Sequence, residues 1–249
     1  MKTLLYAENV SKSFDGFKAL DISNFVLEEN ELRVVIGPNG AGKTTFLDVI
    51  CGRTRPDTGL ILLGETAIQG LDERRIFEAG IGRKFQAPTV FGSLAVRDNL
   101  MLAAKAPKGV FATLLHRSSD AEKRRIEEVA EKTGLSAHLD RVAGSLSHGQ
   151  KQWLEIGMVI AQEPRVLLVD EPAAGMTDEE TFRTGELLQE LSNDHAIVVI
   201  EHDMAFVRQI ARTVTVLHEG RILVEGPMEK VQSDPRVLEC YLGKGRTPK

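Results

Sequence analysis

The sequence predicts an α/β fold with a mainly parallel sheet at its core, an N-terminal antiparallel β subdomain and an inserted helical lobe. Three observations predict it. A stretch of the form G-x-x-x-x-G-K-T runs from Gly37 to Thr44, entered by the apolar run Leu32–Ile36 and left by the helical run Thr45–Ile50. Further apolar runs at Ile81–Phe85, Arg165–Val169 and Ala196–Ile200 have the unbroken character of strands covered on both faces. Between Gln86 and Leu146 no strand pattern occurs.

In chain order, the first stretch, residues 1–35, alternates apolar and polar side chains around a turn at Asp15-Gly16, as antiparallel strands do. Residues 58–80 continue that region as a short strand pair punctuated by Gly59, Gly64 and Gly70. Residues 87–150 form the helical lobe. One helix spans about Arg97 to Lys105 and stops near Pro107; a second starts at the capping box Ser119-Asp120-Ala121-Glu122 and ends at Gly134. Ala121, Ile126, Val129 and Ala130 share one face of that second helix. The rest belongs to the core and closes with a hairpin, Val214–Leu217 and Arg221–Val224, turning at His218-Glu219-Gly220. The 249 residues read as a single domain, ample for a buried core.

A net charge of −5 argues against a nucleic-acid surface, which needs a dominant basic stripe. No apolar run approaches the length that spans a bilayer, and the first eight residues hold no apolar signal core, so the expected compartment is the cytoplasm. Cys51 and Cys240 stand in no metal-ligand or redox spacing and read as reduced, structural thiols.

The glycine-rich stretch, Gly37-Pro38-Asn39-Gly40-Ala41-Gly42-Lys43-Thr44-Thr45, is chemistry written as backbone geometry. Its glycines let successive backbone N–H groups point at phosphate oxygens, and the following helix adds about half a positive charge at its N-terminus. Lys43 is placed to reach the β- and γ-phosphates, and the Thr44 hydroxyl to ligate Mg²⁺. The core is thus a P-loop NTPase core that binds a nucleoside triphosphate. Arg165–Val169 runs into Asp170 and Glu171, placed to hold the Mg²⁺ shell and to polarise an attacking water. Gln86, where a strand gives way to the lobe, is either a surface glutamine or a Mg²⁺ and water contact. His202 follows the strand ending at Ile200, on the side of a parallel sheet where α/β sites assemble. A helical lobe between the loop and Asp170 is foreign to most simple P-loop kinases.

The stretch Leu146-Ser147-His148-Gly149-Gln150, followed by a long apolar helix that stops at Pro164, completes the set. With it the chain resembles the nucleotide-binding subunit of an ABC transporter, whose signature runs Leu-Ser-Gly-Gly-Gln. The resemblance covers essentially the whole chain, with every motif in order. It implies ATP and Mg²⁺ as ligands, Phe14 as an aromatic residue stacking on adenine, Gln86 in a Mg²⁺-sensing loop and His202 as a catalytic switch histidine beside Glu171. It further implies a head-to-tail dimer in which ATP lies between one P-loop and the partner's Ser147, His148, Gly149 and Gln150. There Ser147 and the helix N-terminus offer a hydroxyl, backbone N–H groups and a dipole to the γ-phosphate. The implied partners are a second, different ATPase subunit, two membrane permease subunits and, indirectly, an external substrate-binding protein. The implied location is peripheral, on the cytoplasmic face of the cell (inner) membrane.

Three departures from the pattern stand out. His148 replaces a glycine of the signature, Lys151-Gln152-Trp153 lacks a common arginine, and Thr177 replaces the usual aspartate after Ala173-Ala174-Gly175-Met176. Trp153 reads either as a core anchor of the lobe or as a functional substitution. Ala173–Met176 and the ending Cys240-Tyr241-Leu242-Gly243 resemble the branched-chain amino acid and urea uptake subgroup. Leu146 to Met158 looks most like the urea-type subunit, so urea or short-chain amide import is the expectation. Branched-chain amino acid import is the alternative, and a soluble ABC ATPase not coupled to transport a third. Residues 87–94, notably Phe91, are expected to line a groove for a permease helix or else to pack locally.

Overall fold

The computed structural model describes residues 2–84, 90–104 and 119–242. Among them the strands form two sheets, a four-stranded one in the order β2-β1-β4-β5 and a six-stranded one in the order β10-β9-β3-β8-β7-β6. In the first, β1 (Thr3–Phe14) and β2 (Phe17–Glu28) make a hairpin, joined by β4 (Thr58–Leu63) and β5 (Thr66–Ala67). Its turn, Asp15-Gly16, takes two consecutive left-handed conformations, φ 48° and 83°, the geometry whose twist suits a two-residue hairpin loop.

The second sheet contains β3 (Leu32–Ile36), β6 (Ile81–Lys84), β7 (Val166–Asp170), β8 (Ala196–Ile200), β9 (Thr213–His218) and β10 (Arg221–Gly226). The strands from β6 to β9 pair in parallel, and β10 returns antiparallel along the edge. Every residue of β3, β7 and β8 is buried. Leu167 and Val169 of β7 enter one core, and Val166 and Leu168 enter the other, as the two-residue period of a strand covered on both faces requires. The second core also holds β1, β2 and the helix α1 (Lys43–Ile50), where Phe25 meets Phe46 edge-on at 4.9 Å.

The first core is completed by α3 (Val96–Ala103), α4 (Asp120–Lys132), α5 (His148–Ile160), α6 (Asp178–Leu191) and α7 (Met204–Ile210). Ser119 caps α4 reciprocally with Glu122, so that helix begins where its sequence places it. Among the described residues an isolated bridge, Ala95 to Val142, ties the two ends of the lobe together, with Ala143 N–H donating to the Leu94 carbonyl beside it.

Two expected boundaries move. Leu32–Ile36 joins the parallel sheet, so the antiparallel part does not reach residue 35. Glu73–Ala79 (α2) is a helix, started by the Asp72 carboxylate accepting from the Arg75 N–H and stopped by left-handed Gly80, so the strand region ends well before residue 80. The chain also continues past the hairpin into α8 (Met228–Ser233) and α9 (Pro235–Leu242), two short helices with no long apolar period to announce them. No helix among the described residues is long and apolar enough to cross a membrane.

Candidate active site

The C-terminal ends of β3, β7 and β8 lie side by side, and each delivers one part of the site. From β3 comes the phosphate loop. A Cβ at Gly42 would sit 2.5 Å from the Ala19 carbonyl oxygen, and its φ of 97° is left-handed, so only glycine fits there. A Cβ at Gly37 would meet the Leu217 oxygen at 2.2 Å. The loop is pinned further by Gly220 N–H donating to the Ala41 carbonyl at 2.9 Å. Asn39, Gly40 and Thr44 are exposed, while Pro38 and Thr45 are half-buried.

Lys43 folds over this loop, its Nζ donating to the Gly37 and Pro38 carbonyls at 2.7 and 3.1 Å. Burial lowers its pKa, and the carboxylates of Glu171 and Asp170 pull the other way. The ammonium is therefore near enough to β7 to feel both acids. A concave loop that excludes side chains, an ammonium resting on it and two acids opposite suit a polyphosphate with a divalent cation.

From β7 come those acids. Asp170 is buried and faces Arg83 at 3.6 Å, and Arg83 also binds Asp48 of α1. Desolvation raises the Asp170 pKa above the ordinary carboxylate range, against the opposing pull of Arg83. Glu171 turns the chain sharply, with a left-handed φ of 46° and its N–H donating to the Ile200 carbonyl at 3.0 Å. That geometry aims its carboxylate at the loop after β8, where His202 Nδ1 stands 3.5 Å away.

Glu201, buried and between β8 and His202, braces both loops. It accepts from the N–H groups of Ala173, His202 and Asp203 at 3.2, 3.0 and 3.4 Å. Burial raises its pKa, with those N–H groups opposing. Lys43, Asp170, Glu171 and His202 thus come together. Gln86 lies outside the described residues; the strand before it ends at Lys84, buried 3.7 Å from Glu155 of α5.

Phe14 bonds no residue of the loop among the described residues. It stands exposed at the end of β1 with Lys12 Nζ 5.5 Å from its ring centre, whereas Phe17 and Lys18, just across the turn, line the cleft beside Gly40.

The Ser147 region is a separate constellation. Ser147 caps α5 and Gln150 returns the bond, a complete capping box. None of Ser147–Gln150 bonds the phosphate loop among the described residues; Ser147 and His148 bond instead to the segment after Glu171, and Gln150 Nε2 lies 3.0 Å from His138 Nε2. His148 Nε2–H donates to the Ala174 carbonyl at 3.0 Å, and Ser147 Oγ donates to Glu180 of α6 at 2.9 Å. Trp153 is buried and donates its indole N–H to Thr184 at 2.9 Å, so it anchors the lobe to α6. Thr177 caps α6, again in a reciprocal box with Glu180.

Arg83, Glu201 and Glu180 are further residues of these constellations that no site motif in the sequence singles out. Only Glu180 left a local trace, as the last member of the Thr177-x-x-Glu180 capping pattern.

A cleft of about 490 Å³ opens between the core and the lobe, lined in part by Phe77, Phe91, Leu102 and Met158. Phe91 is 52% exposed although its backbone is clasped by the buried Asn99 side chain. Of the segment expected to line a groove, residues 87–89 lie outside the described residues.

A family model described as ABC transporter matches residues 20–174, and one described as branched-chain amino acid ATP-binding cassette transporter matches residues 221–247. The chain is 35% identical to the high-affinity branched-chain amino acid transport ATP-binding protein LivG of Escherichia coli, covering 97% of this chain and 98% of that one. It is 34% identical to BraF of Pseudomonas aeruginosa, which carries the same description, over 98% and 99% of the two chains. Among solved structures, the ADP conformation of an ATP-binding cassette of an ABC transporter aligns at a TM-score of 0.86 and 29% identity, over 98% of this chain and all of the other.

Proposed function

The chain belongs to the ABC transporter family of ATP-hydrolysing cassettes, and from that premise we propose that it powers an importer of branched-chain amino acids. The observation that carries the chemistry is the convergence of Lys43, Asp170, Glu171 and His202 at the ends of β3, β7 and β8. The observation that favours the substrate class is the match of residues 221–247 to the branched-chain model, alongside the names of LivG and BraF.

In this reading the phosphate loop receives the ATP phosphates and Lys43 leaves the Gly37 and Pro38 carbonyls for the β- and γ-phosphates. Thr44, Asp170 and Gln86 would hold Mg²⁺, which when bound would neutralise charge on the phosphoryl oxygens. Glu171 orients and polarises the attacking water, and His202, across from it, holds the transferred group in line. Phe14, or its neighbour Phe17, supplies an aromatic face for the base. The N-terminal end of α5, Ser147 to Gln150, serves the ATP of a second ATPase subunit, either a different one or another copy of this chain, which closes head to tail on this one. Closure on ATP and reopening after hydrolysis drive two permease subunits, supplied with substrate by an external binding protein. The apolar cleft with Phe91 receives a permease helix, which places the chain on the cytoplasmic face of the membrane. A net charge of −5 gives no support to a nucleic-acid partner.

A second reading, urea or short-chain amide import, rests on the resemblance of Leu146 to Met158 to the urea-type subunit. The named relatives favour the first. Deleting the gene and measuring leucine uptake beside growth on urea as sole nitrogen source separates them. Loss of leucine uptake with normal growth on urea supports branched-chain import; the reverse result overturns it in favour of urea.

A further inference from the structure

Glu180 is not part of the phosphate site, yet its carboxylate sits where α5 offers its strongest anion-binding groups. One oxygen accepts from the Ser147 hydroxyl at 2.9 Å, and the other from the Thr177 N–H and hydroxyl at 3.2 and 3.3 Å. The backbone N–H of Gly149 adds to the pull that favours the charge on this carboxylate. The approach is close enough that a Cβ at Gly149 would lie 2.5–2.9 Å from three Glu180 atoms. Thr177, Ser147 and Gly149 together hold Glu180 below the usual carboxylate range, so it is an anion at neutral pH. The His148–Ala174 bond clamps the same helix end against the same segment.

The hydroxyl of Ser147 and the N–H groups at this helix end are the donors that the proposed function assigns to a partner's γ-phosphate. One set of donors cannot serve two anions, and a phosphate pressed against a carboxylate is repelled. We propose that Glu180 is an internal stand-in for that phosphate: its carboxylate fills the seat in the separated subunit and must rotate out before ATP can close the dimer. The inference rests on the head-to-tail reading and adds a threshold to it. Association begins only when the γ-phosphate outcompetes a resident carboxylate.

Glu180→Gln tests it, because the glutamine oxygen keeps the capping box with Thr177 while the charge is lost and the atom facing Ser147 becomes an N–H donor. Charge-assisted hydrogen bonds are about twice as strong as neutral ones. In full-length protein carrying Glu171→Gln, sedimentation velocity against ATP concentration should show the midpoint of association falling about tenfold on adding Glu180→Gln. ATP binding to the dilute, unassociated chain should not change. An unchanged or higher midpoint overturns the proposal. Glu180→Ala, which also removes the acceptor, should move the midpoint the same way; a rise with a native circular dichroism spectrum assigns Glu180 a supporting role in closure and likewise overturns it. Ser147→Ala in the same background tests the underlying reading. If association is indifferent to Ser147→Ala, the head-to-tail assignment fails. If Ser147→Ala weakens association and Glu180→Gln does not strengthen it, only the Glu180 stand-in fails.

Discussion

His202 Nδ1 stands 3.5 Å from a carboxylate oxygen of Glu171, and the contact joins the loops that follow two neighbouring parallel strands. What sets this pair is backbone. Glu171 N–H is tied to Ile200 O, and the buried Glu201 holds the N–H groups of Ala173 and His202 at once. A movement of either loop changes the spacing of Glu171 and His202 without any change in the sheet.

Glu171→Gln removes the proposed base and keeps the shape. ATP binding should persist and hydrolysis should slow by about 10²–10⁴-fold, the range for a positioned general base. The check is single-turnover hydrolysis in the assembled complex; unaltered turnover removes Glu171 from that role.

Lys43→Ala removes the cation that rests on the Gly37 and Pro38 carbonyls. Nucleotide affinity should fall by at least about 100-fold, as loss of a charge-assisted phosphate contact in a half-buried site implies. Isothermal titration with ATP decides it, and a normal titration contradicts the assignment of the loop.

Asp170→Asn should act in opposite directions on stability and activity. Burial raises the Asp170 pKa, so the native chain protonates it more readily than the unfolded chain does. Its ionised form therefore costs stability above the native pKa, and the cost vanishes once pH falls below the unfolded value of about 4. Without nucleotide or Mg²⁺, Asp170→Asn should melt about 2–4 °C higher at neutral pH. The gap should close in acid, while Mg²⁺-dependent hydrolysis is lost. Arg83 keeps Asp48 as a partner in the variant. A lower melting temperature at neutral pH contradicts the account.

Trp153→Phe keeps most of the buried ring and deletes the N–H bond to Thr184. The loss should be about 1 kcal/mol, or about 2–4 °C in thermal unfolding followed by circular dichroism. No shift would mean that packing alone fastens α5 to α6.

The parts of this molecule whose chemistry is local were legible in the sequence. The phosphate loop carries its own strand, glycines and helix, and Asp170 and Glu171 announce themselves at the end of an apolar run. Arg83 and Glu201 were not, because a charged residue beside apolar neighbours reads as a surface position until its partners are known. Asp48 and Asp170, the partners of Arg83, come from two other elements. Glu180 shows the same limit: its capping role spans three residues, whereas its bond to Ser147 spans 33 and exists only once α5 packs on α6. Substrate class was the least legible: the C-terminal ending marks only the subgroup, and the urea expectation taken from Leu146–Met158 is not matched by the named relatives, which are branched-chain amino acid transport proteins.

The central claim is that each chain carries two half-sites that meet only between chains. Asn39 on the phosphate loop and Ser145 just before the signature are both exposed. In protein carrying Glu171→Gln and Cys240→Ser, chains with Asn39→Cys should be mixed with chains with Ser145→Cys and treated with a short bifunctional thiol reagent. The account predicts an Asn39–Ser145 cross-link between chains that forms with Mg²⁺ and ATP and not without nucleotide. Failure to form it, or equal cross-linking of Asn39→Cys chains to one another, would contradict the head-to-tail site.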